Sequence, residues 1–142
     1  YLPVAPASQF GEVENLRISP LQAALAATSL ANEGVWTPGQ LVSAVQLKNS
    51  GWIVLSPSVN AYPIFDPATI KIFTAEATAP KQPYWRIADT EGSSDSSITW
   101  FIGGTPSGWN GTPLIAVIAL EDGDTASADF IGRELLMSAL DK

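Results

Sequence analysis

Two apolar, β-forming runs at residues 98–103 and 114–120 are joined by Gly104-Thr105-Pro106-Ser107-Gly108-Trp109-Asn110-Gly111, a connection built of turn residues. Runs of this length separated by turn chemistry pair antiparallel. A paired ribbon with an apolar face has to be covered by another layer, and the residues that follow supply one. After the acidic turn Glu121-Asp122-Gly123-Asp124, the spacing of Ala128, Ile131, Leu135 and Ala139 predicts a helix over about 126–140, with Met137 and Leu140 widening its apolar face. Carboxylates before its first turn and Lys142 after its last complement the helix dipole.

A second helix is announced near the other end. Ser19, Pro20 and Gln22 place a capping hydroxyl, a proline at the first helical position and an amide three residues after the cap. Leu21, Ala24, Leu25 and Thr28 mark its expected buried face, and Gly34 beyond Asn32-Glu33 ends it. Between the helices, residues 41–47, 52–55, 70–73 and 85–88 read as strands, Pro67-Ala68-Thr69 as a possible helix start, and 89–97 as a polar turn. Residues 1–16 read as an irregular lead-in. Helix, strands, helix in this order predicts an α+β fold, an antiparallel sheet flanked by helices, in a single domain over 1–142.

Composition narrows the chemistry. Without His or Cys, no imidazole base, thiol nucleophile, ordinary zinc site or Ser-His-Asp triad can be built from this chain. Seven basic against 14 acidic residues give a formal charge of −7, which disfavours a phosphate backbone as partner, so no nucleic acid is expected. A chain of 142 residues, 46% hydrophobic, can bury a core without disulfide or metal staples. Its first residues, Tyr1-Leu2-Pro3-Val4, lack the basic start of a signal peptide, leaving a removed export signal or a piece of a longer protein as the alternatives.

Two segments resemble one family. Ile18-Ser19-Pro20-Leu21-Gln22-Ala23-Ala24, running to Ala31-Asn32-Glu33-Gly34, is similar to the Thr-Pro-Leu-Gln helix of penicillin-binding protein transpeptidase domains. Trp100-Phe101-Ile102-Gly103-Gly104-Thr105-Pro106, with the strand and helix after it, is similar to that family's C-terminal hairpin and helix. The resemblance covers about residues 17–140 and implies a partial β-lactamase/transpeptidase-like domain. Its parent reaction would be D,D-transpeptidation of peptidoglycan stem peptides through an acyl-serine, in the bacterial cell envelope outside the cytoplasm, from a parent anchored by an upstream membrane segment.

That chemistry uses a Ser-x-x-Lys, a Ser-x-Asn and a Lys-Thr-Gly. An amine beside the serine hydroxyl can act as its base with no histidine. Here the residues three before Lys48, Lys71, Lys81 and Lys142 are Val45, Ala68, Thr78 and Ala139, so no such nucleophile is present. Ser58-Val59-Asn60 matches the second motif in letters but follows the helix that it should precede, and is read as an ordinary turn. By the same resemblance, Asp89, Thr90 and Gly92 are the remnant of the Lys-Thr-Gly strand, with a carboxylate where the family has its cation; an acidic solvated turn is the alternative. Such a carboxylate would repel the substrate's own.

The expected function is therefore a C-terminal fragment of a penicillin-binding protein, not catalytic by itself and without cofactor or metal. Its expected partners are the upstream part of the domain and a second copy meeting it through apolar surface at Ala24, Leu25, Thr28 and the strand 98–103; stem peptide would bind only the full-length parent. The alternative is a non-catalytic exported scaffold or a glycan-binding module. For that reading Trp36 and Trp109, set among Gly, Thr and Pro, are the expected exposed aromatics, whereas Trp52, Trp85 and Trp100 are expected in the core. Glu121-Asp122-Gly123-Asp124 fits either a calcium loop or a capping turn, and Asn110-Gly111-Thr112 fits the N-glycosylation pattern.

Overall fold

The computed structural model describes residues 18–40, 42–49, 51–56, 60–93 and 96–141. The lead-in 1–16 and Ser58-Val59 lie outside them. In chain order the elements are α1 (Pro20–Ala31), β1 (Val35–Trp36), β2 (Ala44–Leu47), β3 (Gly51–Val54), β4 (Tyr62–Pro63), α2 (Pro67–Glu76), β5 (Trp85–Ser93), β6 (Ser96–Gly104), β7 (Ile115–Glu121) and α3 (Thr125–Leu140). Three helices and small antiparallel sheets make the architecture α+β.

The helix starts follow local chemistry. Ser19 Oγ accepts from the Gln22 N–H at 3.2 Å while Gln22 Oε1 accepts from the Ser19 N–H at 2.8 Å, the reciprocal capping box that the sequence announces for α1. At the other end Gly34 takes φ +85° and its N–H donates to Ser29 O. In α2 the Asp66 carboxylate accepts from the Thr69 N–H at 3.0 Å, with Pro67 at the first helical position. Residues 70–73, expected as a strand, are therefore the interior of a helix. Ile70 and Thr74, one turn apart, are its buried side, and the alternation Ile-Lys-Ile-Phe carries no strand-like burial.

The sheet β5-β6-β7 is antiparallel throughout, pairing Ala88 with Phe101 and Phe101 with Ile118. The hairpin expected from residues 98–120 is present. However, β5 runs on to Ser93, so 89–93 is strand and not the expected turn: its backbone pairs with β6 from Asp89↔Trp100 to Ser93↔Ser96, and the Thr90 hydroxyl meets that of Thr99 across the ladder.

Helix α3 covers one face of this sheet. Tyr84, Phe101, Ala128 and Leu136 form the core there, with Ala88, Ala116, Ile118, Leu120 and Leu140 against it. The buried stripe is Ala128, Gly132 and Leu136, so the expected face is rotated: Ile131 and Leu135 are exposed, Leu135 by 54%. The cause is Gly132. A Cβ placed on it would overlap the Phe101 ring, so the ring and the glycine seat against each other and set the rotation of the helix. An ion pair between Arg86 of β5 and Asp129 of α3, with Arg133 at 3.7 Å from the same carboxylate, ties the flank of α3 that faces β5.

Helix α1 lies on the opposite face, along β7. Its buried residues are Ala23, Ala27, Ser29 and Ala31, small side chains that permit close approach. Leu21 is 58% exposed, and Ala24, Leu25 and Thr28 are half-buried, which corrects the expected face by a partial turn. Among the described residues no helix is long and apolar enough to cross a membrane.

Two short ribbons complete the chain. β1 pairs with β4, where the Trp36 and Tyr62 rings lie 5.2 Å apart between centroids. β2 pairs with β3 in a hairpin that makes no extended contact with another helix or strand. Every residue of β3 is exposed, including Trp52 at 68%. Trp52, expected in the core, is thus at the surface. Trp36 and Trp109, expected there, are half-buried. Trp85 is fully buried, its Nε1–H donating to Thr105 O at 2.9 Å, and Trp100 is half-buried.

Candidate functional site

The three residues singled out by sequence, Asp89, Thr90 and Gly92, fall on the outer strand β5, close in sequence but divided by the pleat. Alternation along a strand sends Asp89 to the face carrying α1 and Thr90 to the face carrying α3. Gly92, at φ +127°, stands opposite Ser97 one residue before the end of β5.

Strand geometry also fixes which backbone groups point outwards. The Arg86 N–H donates away from β6, to Ala77 O at 3.1 Å, so in the antiparallel ladder Ala88, Thr90 and Gly92 turn their N–H groups the same way. At Thr90 that outward N–H is engaged: the Asp89 carboxylate accepts it at 2.8 Å. Asp89 therefore blunts the edge of the sheet, a common use of a charged side chain on an edge strand.

The Thr90 hydroxyl is engaged as well. Its oxygen is 2.7 Å from Thr99 Oγ1, which donates its single proton to Gly123 O at 2.7 Å. Thr99 can then only accept, so Thr90 donates to it. The chain continues weakly to Thr125 Oγ1, 3.3 Å from Thr90. Thr99 is fully buried, and this relay fastens the turn between β7 and α3 to the sheet. Neither Thr99 and Thr125 as partners of Thr90 nor the Gly123 carbonyl as partner of Thr99 is legible in the sequence, where the one signal is the Thr90–Thr99 cross-strand position within the hairpin.

The acidic run serves the same turn. Asp124 caps α3, its carboxylate accepting from the Ser127 N–H at 2.7 Å and from the Ser127 hydroxyl at 3.2 Å. Those bonds, the backbone one foremost, hold its pKa below the ordinary value. Asp122 sits at φ +50° with its N–H on Ser97 O, and no group of three or more potential metal-ligating side chains is found among the described residues.

Chemically, this edge offers the Asp89 carboxylate, which holds a backbone amide, the Thr90 hydroxyl, which donates to Thr99, and the Thr99 hydroxyl, which donates to the Gly123 carbonyl. No family model matches the chain, and neither a curated protein nor a solved structure matches it.

Proposed function

We propose that the chain is the C-terminal part of a penicillin-binding-type transpeptidase domain of the bacterial cell envelope, inert alone and completed by the rest of that domain. One observation carries this reading: the segments that bear the resemblance, far apart in sequence, meet in one layered body. The Pro-Leu-Gln helix α1 lies along a sheet whose middle strand holds Trp100 and Phe101 and whose outer strand holds Thr90 and Gly92. In the parent, a serine hydroxyl supplied from upstream attacks the stem-peptide carbonyl, an amine near it takes the proton, and the terminal residue leaves as the acyl-serine forms.

Within this reading, the bond from the Thr90 N–H to Asp89 favours a parent whose site is degenerate and serves as a scaffold. A substrate carbonyl would have to displace a carboxylate that already holds the amide, and a substrate carboxylate would meet a like charge.

Labelling with a fluorescent penicillin tests the proposal. The chain alone stays unlabelled, and the chain joined to its upstream half takes label at a serine in Ser-x-x-Lys, or takes none if the scaffold version holds. Labelling of the isolated chain overturns the reading, as does an upstream half with no transpeptidase-like sequence.

A further inference from the structure

The strand β7 has the surroundings of an interior strand and the position of an edge. Its even-numbered residues Ala116, Ile118 and Leu120 meet α3, and α1 lies along its other face. None of its apolar residues is buried, however. The Asp122 N–H donates to Ser97 O, so the ladder assigns the even residues of β7 to β6 and turns the N–H and C=O groups of Val117 and Ala119 outwards. Above that open edge runs the flank of α3 opposite the Arg86–Asp129 pair, where Ile131 and Leu135 are exposed. Among the described residues, β7 is therefore an edge strand whose outward backbone groups are unpaired, with α3 on one face and α1 on the other.

An occupant has to be apolar on both faces and carry no helix of its own on the α1 side. A second β7 fails this, because it would bring its own α1 into the space already taken. The β2–β3 hairpin meets it: Trp52-Ile53-Val54-Leu55 is apolar at every position, exposed, and bare on both faces. The Leu55 N–H donates to Ser43 O, so Trp52 and Val54 turn their backbone groups away from β2.

We infer that β7 is a strand-acceptor site and that its occupant is β3 of a second copy of this chain. Antiparallel addition sets Trp52 opposite Ala119 and Val54 opposite Val117, and sends Ile53 and Leu55 towards Ile131 and Leu135. It also carries Lys48, in the hairpin turn, to the acidic residues Glu121, Asp122 and Asp124; parallel addition would take Lys48 away from them. One such junction covers roughly 800 Å² counted over both surfaces, from the usual areas of a tryptophan and several aliphatic side chains. Reciprocal exchange doubles this to about 1,600 Å², the standard size of a stable interface, and closes the pair with two-fold symmetry. The inference goes beyond the transpeptidase reading and does not depend on it.

Sedimentation of the full chain tests it. The wild type associates with rising concentration, and Trp52→Lys, which spoils the donor, or Ala119→Pro, which removes an outward N–H that only an added strand would use, each weakens association about tenfold or more. An equal mixture of the two variants can form one of the two junctions, the donor of Ala119→Pro on the acceptor of Trp52→Lys, so it associates more tightly than either variant alone and more weakly than the wild type. The chain has no cysteine, so Val54→Cys and Val117→Cys in separate copies give a second readout: under mild oxidation the mixture forms the mixed disulfide well above either variant alone, even if Ala119→Pro proves unfolded. A wild type that remains at 15.0 kDa at all concentrations, a variant mixture that associates no more tightly than either variant alone, or a cysteine mixture without the mixed disulfide overturns the inference.

Discussion

β7 and β3 are built of the same kind of residue and have opposite fates. The run Ile115-Ala116-Val117-Ile118-Ala119-Leu120 is enclosed between two helices, whereas Trp52-Ile53-Val54-Leu55 stands in solvent on an unsupported hairpin. The difference lies in what each run can be stacked against. β7 is followed immediately by a helix whose Gly132 and Leu136 fold back over it and its neighbour, and among the described residues β3 is followed by no element that returns to it. Apolar character alone thus specifies a strand and leaves its burial to the connections. A two-stranded hairpin is marginal in water, so β2–β3 depends on a partner in a way that β5–β7 does not.

The largest effect that would sharpen this contrast is at Phe101, fully buried in the middle strand. Phe101→Ala should cost roughly 3–5 kcal/mol in a denaturant titration, and a midpoint that barely moves would mean that the stability resides elsewhere. Next comes a neighbouring pair on α3: Leu136→Ala should cost about 2–5 kcal/mol, while Leu135→Ala, on the exposed flank, stays within about 0.5 kcal/mol at concentrations where the chain is monomeric. Equal losses at both positions would reverse the helix rotation described above. Ser19→Ala removes a reciprocal cap and should lower stability by about 1 kcal/mol.

Asp124 gives a smaller, pH-dependent effect. Its pKa is lowered in the folded state, so its cap contributes above the ordinary carboxylate pKa and is lost as pH falls through the lower, folded-state value. Asp124→Asn should therefore flatten the acid limb of the stability profile and leave the alkaline limb unchanged. The smallest change is expected at Trp52. Trp52→Lys should alter monomer stability by no more than about 0.5 kcal/mol despite removing the largest type of side chain; a loss of several kcal/mol would show that the hairpin is supported within one chain after all.

The helix ends were legible because caps are local. Ser19, Pro20 and Gln22 suffice for α1, and Asp66 with Pro67 marks the start of α2, although the residues at 70–73 resemble a strand in composition. The faces were legible only in part. On α3 the apolar stripe spans Ala128 to Leu140 over a wide arc, and the choice of Leu136 over Leu135 depends on a contact with Phe101, 35 residues away along the chain. Residues 89–93 read as a turn in the sequence because polar residues in an outer strand carry no mark of the β6 residues that pair with them. The candidate site suffered the same way: Asp89 and Thr90 were adjacent letters in a motif, and the pleat puts their side chains on different faces.

The absent side chain at Gly132 has a reach beyond its own contact. A helix turns about 100° per residue, so a different choice of seat for the Phe101 ring would swing Ile131 and Leu135 under the helix or out of line with β7. The notch works like an index pin on a dial: it gives α3 one angular setting, and that setting decides which side chains overhang the open border of the sheet. A surface intended for another strand is in this way aligned from beneath, by a hydrogen atom standing where a methyl group would have jammed the dial.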